Sequence, residues 1–176
     1  MAYMSEAAKV RDLPQVMKYI TGEVLDVACG GDKIIPEAIG FDGRSLPGVD
    51  IVGIHDEFWD KIKFVKRDKF DTIFSSHFLE HCRDQYLTVI TWYHVLKSGG
   101  HLVLYLPDGD YYDNKSNPEH MIDIKYDPFM FWFRRAFCGE GKDFKGEHLP
   151  KMFDLVDHGL DIGEDRYSFW IVARKV

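Results

Sequence analysis

Residues 22–42 read GEVLDVACGGDKIIPEAIGFD, and their order decides how the rest of the chain is organised. A short apolar strand, VLDV at 24–27, runs directly into small residues, Ala28, Cys29, Gly30 and Gly31. A second short strand, AIGF at 38–41, ends on an acid, Asp42. That succession describes a nucleotide-type pocket at the carboxyl edge of a parallel sheet. Small residues let the backbone approach a ligand closely, and an acid at the next strand's tip can accept hydrogen bonds from two ribose hydroxyls. A strand–turn with no ligand uses glycine in the same way, so both readings stay open on these residues alone.

Around this stretch, the chain has 176 residues, enough for one domain with a real core. Hydrophobic residues at 45% and charged residues at 29% are ordinary for a soluble globular protein. A net charge of -7 argues against nucleic acid as the main partner, because neutralising phosphates needs clustered Lys and Arg. The one basic cluster, KIKFVKR at 61–67, is broken by apolar residues and reads as the solvated face of a helix. Cys29, Cys82 and Cys138 are odd in number and far apart, which supports neither a zinc ribbon nor a disulfide framework. Reduced thiols in a cytoplasmic protein are expected, with no signal peptide and no membrane span.

Residues 5–20 have helical spacing interrupted by Pro14, giving two short helices or one kinked helix. After Gly31 a full crossover helix would be usual, but Pro36 and the short distance to the second strand leave room for only a turn or two. Further strands are expected at 49–54, 70–76 and 101–107, with helices at 56–66, 84–97 and 128–137. The last helix is dense in aromatics (Phe129, Phe131, Trp132, Phe133 and Phe137) that read as core packing. Residues 108–127 form a polar, tyrosine-rich segment, long for a connection and therefore suited to a functional insertion. Strands at 152–156 and 167–173, joined through Gly159 and Gly163, read as a closing hairpin. The alternation gives a doubly wound α/β sandwich on a seven-stranded sheet, within a single domain spanning 1–176.

The order VLDVACGG…IGFD, FDTIFSSHFLEH and LKSGGHLVLYLPD resembles class I S-adenosylmethionine-dependent methyltransferases, closest to the small type 11-like branch. The resemblance covers residues 22–108, and the terminal YSFWIVARKV is similar to the family's last strand. It implies a Rossmann-like sheet ordered 3-2-1-4-5-7-6 with the last strand antiparallel. It also implies S-adenosylmethionine as cofactor and S-adenosylhomocysteine as product. By motif, Asp26, Ala28 and Gly30 would lie under the methionine part, Asp42 on the ribose and Asp56 against the adenine amino group. Ser75, Ser76 and His77 would line the sulfonium and adenine edges. The departures are Ala28 in place of the first loop glycine, Asp32 near the last, and the shortened first crossover. The shortening, together with Lys33 after the loop, resembles other small members and implies a pocket more open on that side.

Methyl transfer asks the protein to position an acceptor, exclude water and, for some acceptors, take a proton. His77 and His81 are the candidate bases, since histidine titrates near neutrality. Glu80, Asp108, Tyr111, Tyr112 and His120 are the candidate acceptor-side residues, and a small polar acceptor is expected. Packing of His77 against the cofactor, with Glu80 and His81 fixing the loop, is the structural alternative. His77 to His81 also spells H-x-x-E-H, an inverted zinc-protease signature. That motif needs both histidines on one helix face and a further carboxylate downstream; here it begins at a strand end, and no metal is expected. A methyltransferase-fold protein that binds a ligand or partner without turnover is the second hypothesis. A nicotinamide dehydrogenase is disfavoured, because G-x-G-x-x-G is absent.

Overall fold

Seven strands form one sheet in the order β3-β2-β1-β4-β5-β7-β6 in a computed structural model that describes residues 5–53 and 67–176. The strands are β1 (Val24–Val27), β2 (Ile39–Asp42), β3 (Ile51–Val52), β4 (Phe70–Ser76), β5 (Leu96–Pro107), β6 (Phe153–Gly163) and β7 (Arg166–Lys175). Among the described residues four α-helices accompany them: α1 (Glu6–Arg11), α2 (Pro14–Met17), α3 (Gln85–Val95) and α4 (Tyr126–Phe137). The first five strands are mutually parallel, and β7 runs antiparallel to both β5 and β6. The expected strand order and shortened first crossover are both present. The expected helix at 56–66 lies outside the described residues, as does Asp56.

All four residues of β1 are buried, as a strand covered on both faces requires. Alternation along β5 divides the core. Leu102, Leu104 and Leu106 point into the cluster shared with α3 and α4, whereas Val103 and Tyr105 join α1, α2 and Ile34 on the opposite face. Pro14 occupies the first turn of α2, where its missing N–H leaves no bond unmade, so the segment is two short helices. On α4, Phe129, Phe133 and Phe137 recur every four residues and are buried, while Phe131 is exposed.

Three boundaries differ from the sequence reading. Helix α3 stops at Val95 because Leu96 is already extended and pairs with Phe70; Lys97 therefore lies in β5, not in the helix. The α4 helix starts two residues earlier than expected, at Tyr126, so Pro128 falls within its first turn. The closing hairpin turns at Glu164–Asp165, with Asp165 at φ 59°, and Gly159 sits inside β6 opposite Trp170. A Cβ on Gly159 would come within 2.5 Å of the Trp170 ring, so glycine is there to admit the indole. Gly159→Ala is expected to destabilise the protein by about 1–3 kcal/mol through overpacking. Urea unfolding with an unchanged midpoint would show that the indole has room to move.

Candidate functional site

The carboxyl edge of β1 delivers the chain into a tight loop. Ala28 has φ 61° and Gly30 φ 57°, both left-handed, and the Ala28 and Cys29 N–H groups donate to the Phe41 carbonyl at 2.7 and 3.2 Å. Ala28 holds this conformation without glycine's freedom, so the loop keeps its turn although one family glycine is missing. A Cβ built on Gly30 would meet only an Arg44 Nη at 3.7 Å, which leaves that backbone open to a ligand. A cleft of about 270 Å³, lined by Arg11, Asp32, Lys33 and Pro36 among others, adjoins the loop where the crossover helix is shortened.

Two buried side chains at the loop each keep an oxygen without a hydrogen-bond partner among the described residues. Asp26 is buried; its Oδ2 accepts from the Ile34 N–H at 2.6 Å, while Oδ1 has no hydrogen bond. Burial is the main cause that raises its carboxyl to about 7. The Ser75 hydroxyl at the end of β4 is buried and unpaired as well. Unpaired polar atoms flanking an open backbone fit a polar ligand laid across β1 and β4. Asp42 ends β2 and is engaged by the loop. Its Oδ2 accepts from the Gly30 N–H at 2.9 Å and its Oδ1 from the Arg44 backbone N–H at 2.9 Å and Nε at 3.2 Å, so the loop itself uses this carboxylate. Ser76, next to Ser75 at the end of β4, is buried as well.

Past Ser76 the backbone turns sharply, with His77 at φ 46°, into a short 3₁₀ turn, Leu79–His81. The His77 ring stacks on Tyr105 and meets Tyr167 edge-on; its Nε2 lies 2.8 Å from the Ser168 hydroxyl and 3.4 Å from Glu6. Burial first, and then the nearby positive charge of Lys9, pushes this histidine down to about 3. Glu80 is fully buried, neither of its carboxyl oxygens has a hydrogen-bond partner among the described residues, and burial raises it to about 8. His81 and His120 face each other edge-on with ring centroids 4.6 Å apart. The segment 108–127 thus folds back to the end of β4, and the Met121 N–H donates to the Glu80 carbonyl at 2.8 Å. Tyr112 completes the cluster, 6.3 Å from the His120 ring and stacked on Tyr167 at 4.4 Å. Tyr111 points out and is 56% exposed. Asp108 is buried and serves its own turn, accepting from the Asp110 N–H at 3.1 Å.

Residues 6–154 match the methyltransferase domain family. The chain belongs to that family. No curated protein is similar enough in sequence to count as a relative. Among solved structures, the PH0226 protein of Pyrococcus horikoshii OT3 is similar with a TM-score of 0.62 at 16% identity, over 98% of this chain and 92% of that one. A SAM-dependent methyltransferase from Archaeoglobus fulgidus gives 0.59 at 16% identity, over 97% and 95%. A Haloferax volcanii chain, from a complex between the Trm112 methyltransferase activator and a proposed methyltransferase, gives 0.61 at 15% identity, over 96% and 88%. At these identities the likeness is one of fold.

Within this methyltransferase domain the amino-terminal helix supplies residues that sequence reasoning missed. Glu6 and Lys9 of α1 form an ion pair at 3.0 Å, and Lys9 lies 4.7 Å over the Tyr167 ring. Glu6 Oε2 is buried without a hydrogen bond, and burial raises the Glu6 carboxyl. Their i,i+3 spacing was visible, but the apolar stripe of Ala7 and Val10 drew the helix as a simple packing element. Ser168 and Tyr167 come from β7, which sequence marks only as a terminal strand.

Proposed function

We propose that the chain transfers a methyl group from S-adenosylmethionine to a small polar acceptor held between the end of β4 and residues 108–127. The observation that carries this reading is the convergence, at one sheet edge, of an open loop with unpaired Asp26 and Ser75 atoms and a polar, aromatic cluster from the insertion. When bound, the cofactor supplies an already activated methyl group on a sulfonium. Asp26, Ala28 and Gly30 would hold its methionine part, Asp42 its ribose, and Ser75, Ser76 and His77 its sulfonium and adenine edges. Tyr112, His120 and Glu80 would orient the acceptor, with Asp108 shaping the turn that carries Tyr111 and Tyr112. Of the two candidate bases, His77 is held neutral and is a weak proton acceptor. His81 has one ring nitrogen, Nδ1, against the Glu119 carbonyl at 3.0 Å, which presents the other as the group placed to take a proton. Cys29, Cys82 and Cys138 form no disulfide among the described residues, which is consistent with a reducing compartment and the proposed cytoplasmic location. Among the described residues no helix is long and apolar enough to cross a membrane.

Calorimetric titration with S-adenosylmethionine and S-adenosylhomocysteine tests the reading: both are expected to bind, and silence from both at millimolar concentration would remove it. Asp42→Ala should weaken binding by about 1–3 kcal/mol, the cost of leaving ribose hydroxyls unpaired. Unchanged affinity would place the ribose elsewhere. A second reading, a domain that binds its ligand without turnover, is favoured by one observation, the engagement of Asp42 by Gly30 and Arg44. Cofactor binding with no methyl transfer to any of a panel of hydroxyl, amine and thiol acceptors would select it.

A further inference from the structure

Glu80, His81 and His120 each offer a ligand atom, and all three atoms lie within 4.8 Å of one another. They come from two separate parts of the chain, the 3₁₀ turn after β4 and the 108–127 insertion. Glu80 is the unusual member. It is 0% exposed, neither oxygen accepts a hydrogen bond, and its Oε1 lies 4.0 Å from His81 Nε2 and 4.0 Å from His77 Nδ1. A buried carboxyl group with no hydrogen-bond partner is costly, and such groups are satisfied by partners or by metal. The two histidines are prepared as ligands. His81 Nδ1 faces the Glu119 carbonyl at 3.0 Å, which draws the ring proton to that side and leaves Nε2 with a lone pair towards Glu80. His120 Nδ1 is buried and has no hydrogen-bond partner among the described residues, and the ring packs against His81 and Tyr112. The Met121 N–H bond to the Glu80 carbonyl ties the two segments together beside the cluster.

We propose that Glu80, His81 and His120 hold one divalent first-row transition ion, zinc first, with two imidazoles and one carboxylate as protein ligands. Such a donor set suits zinc with an open fourth position. Bonds of about 2.0–2.2 Å around a tetrahedral ion put donor atoms roughly 3.4 Å apart. The three groups therefore need to close by about an ångström, within reach of side-chain rotation in the partly exposed histidines. The sequence motif H-x-x-E-H is only half of this site. Its first histidine is engaged with Ser168 and Glu6, and the third ligand is His120 rather than a downstream carboxylate. Binding of the ion does not depend on methyl transfer. Its consequence does rest on that reading: the His81 lone pair would become a metal bond, so in place of an imidazole base taking the acceptor's proton, the ion would lower the pKa of an oxygen or sulfur acceptor in the open position and the proton would leave to water.

The test uses the metal alone. Protein stripped with a chelator and desalted is titrated with Zn²⁺ against a chromophoric chelator, and with Co²⁺ followed by its visible d–d absorption. One equivalent of each is expected, with imidazole-ligated Co²⁺ bands. His120→Ala and Glu80→Gln should each weaken binding by more than the roughly 10–100-fold that loss of a mere supporting partner costs. His148→Ala, on a separate loop, should leave it unchanged. Glu80→Gln is nearly isosteric and removes a buried ionisable group, so it remains informative if His120→Ala fails to fold. Its thermal midpoint without metal should equal or exceed the wild type, while the metal-induced rise in that midpoint should disappear. No binding, or binding that survives both substitutions, would overturn the site. Because no cofactor is present in these titrations, their failure leaves the methyltransferase reading standing, and failure of cofactor binding leaves the metal site standing.

Discussion

Asp26→Asn is expected to stabilise the protein by about 2–4 kcal/mol above pH 7 while weakening S-adenosylmethionine binding at least tenfold. The wild-type carboxyl is buried, with one oxygen bonded to the Ile34 N–H and the other unpaired, and it is raised from 3.8 to about 7. The folded state therefore holds this proton more tightly than the unfolded chain. Between roughly pH 4 and pH 7 the unfolded state loses its proton first, so stability falls as pH rises, and the penalty is complete above pH 7. Asparagine keeps an oxygen for Ile34 and never ionises, so that segment of the pH profile should flatten. Its amide leaves a buried donor in place of the unpaired oxygen, which holds the gain below the full linkage value. The loss of binding follows from charge: a carboxylate there suits the cationic groups of S-adenosylmethionine, and a neutral amide does not. Chemical denaturation from pH 4 to 9, paired with calorimetry, reads both effects. Wild-type and variant stability curves that run parallel would refute the account.

A stabilising substitution that damages binding is the expected signature of a polar group kept for a ligand. The same logic separates what the sequence could disclose from what it could not. The strands were legible because burial on both faces leaves continuous apolar runs, as in LVLYLP at 102–107, and because Pro36 leaves no space for a crossover helix. Gly159 was misread as a turn residue because glycine marks both turns and close approaches, and only the Trp170 ring across the ladder tells them apart. In the site, Asp26 and Ser75 follow from strand ends, which are local. His120 meeting His81, and Glu6 meeting His77, are contacts between residues 39 and 71 positions apart, and no spacing rule encodes them. Asp42 was placed on the correct strand tip, yet its bonds to Gly30 and Arg44 depend on how the loop closes.

The second large effect concerns the clamp that holds α1 over the site. Asp161 Oδ2 accepts from the buried Tyr105 hydroxyl at 2.7 Å and from Arg166 Nη1 at 2.7 Å. The same guanidinium reaches the Lys9 carbonyl and Asp12 at 3.3 Å, so one carboxylate links β5, β6 and β7 to the amino-terminal helix. Asp161→Ala would leave a phenol buried without its acceptor and a partly buried guanidinium without its best partner. The expected loss is about 2–3 kcal/mol, below the range for a fully buried pair because Arg166 retains some solvent. Asp154 is a fair control: it also carries two cationic partners, Lys151 and Arg174, but at the surface, where water screens them and its removal should matter little. Loosening α1 should also free Glu6 and Lys9 from their places beside His77 and Tyr167. Amide exchange over residues 6–12 should therefore accelerate in Asp161→Ala, and cofactor affinity should fall with it. If the two alanine variants unfold at the same denaturant concentration, the clamp has no energetic standing and α1 is held by the apolar contacts of Ala7, Val10 and Leu13 alone.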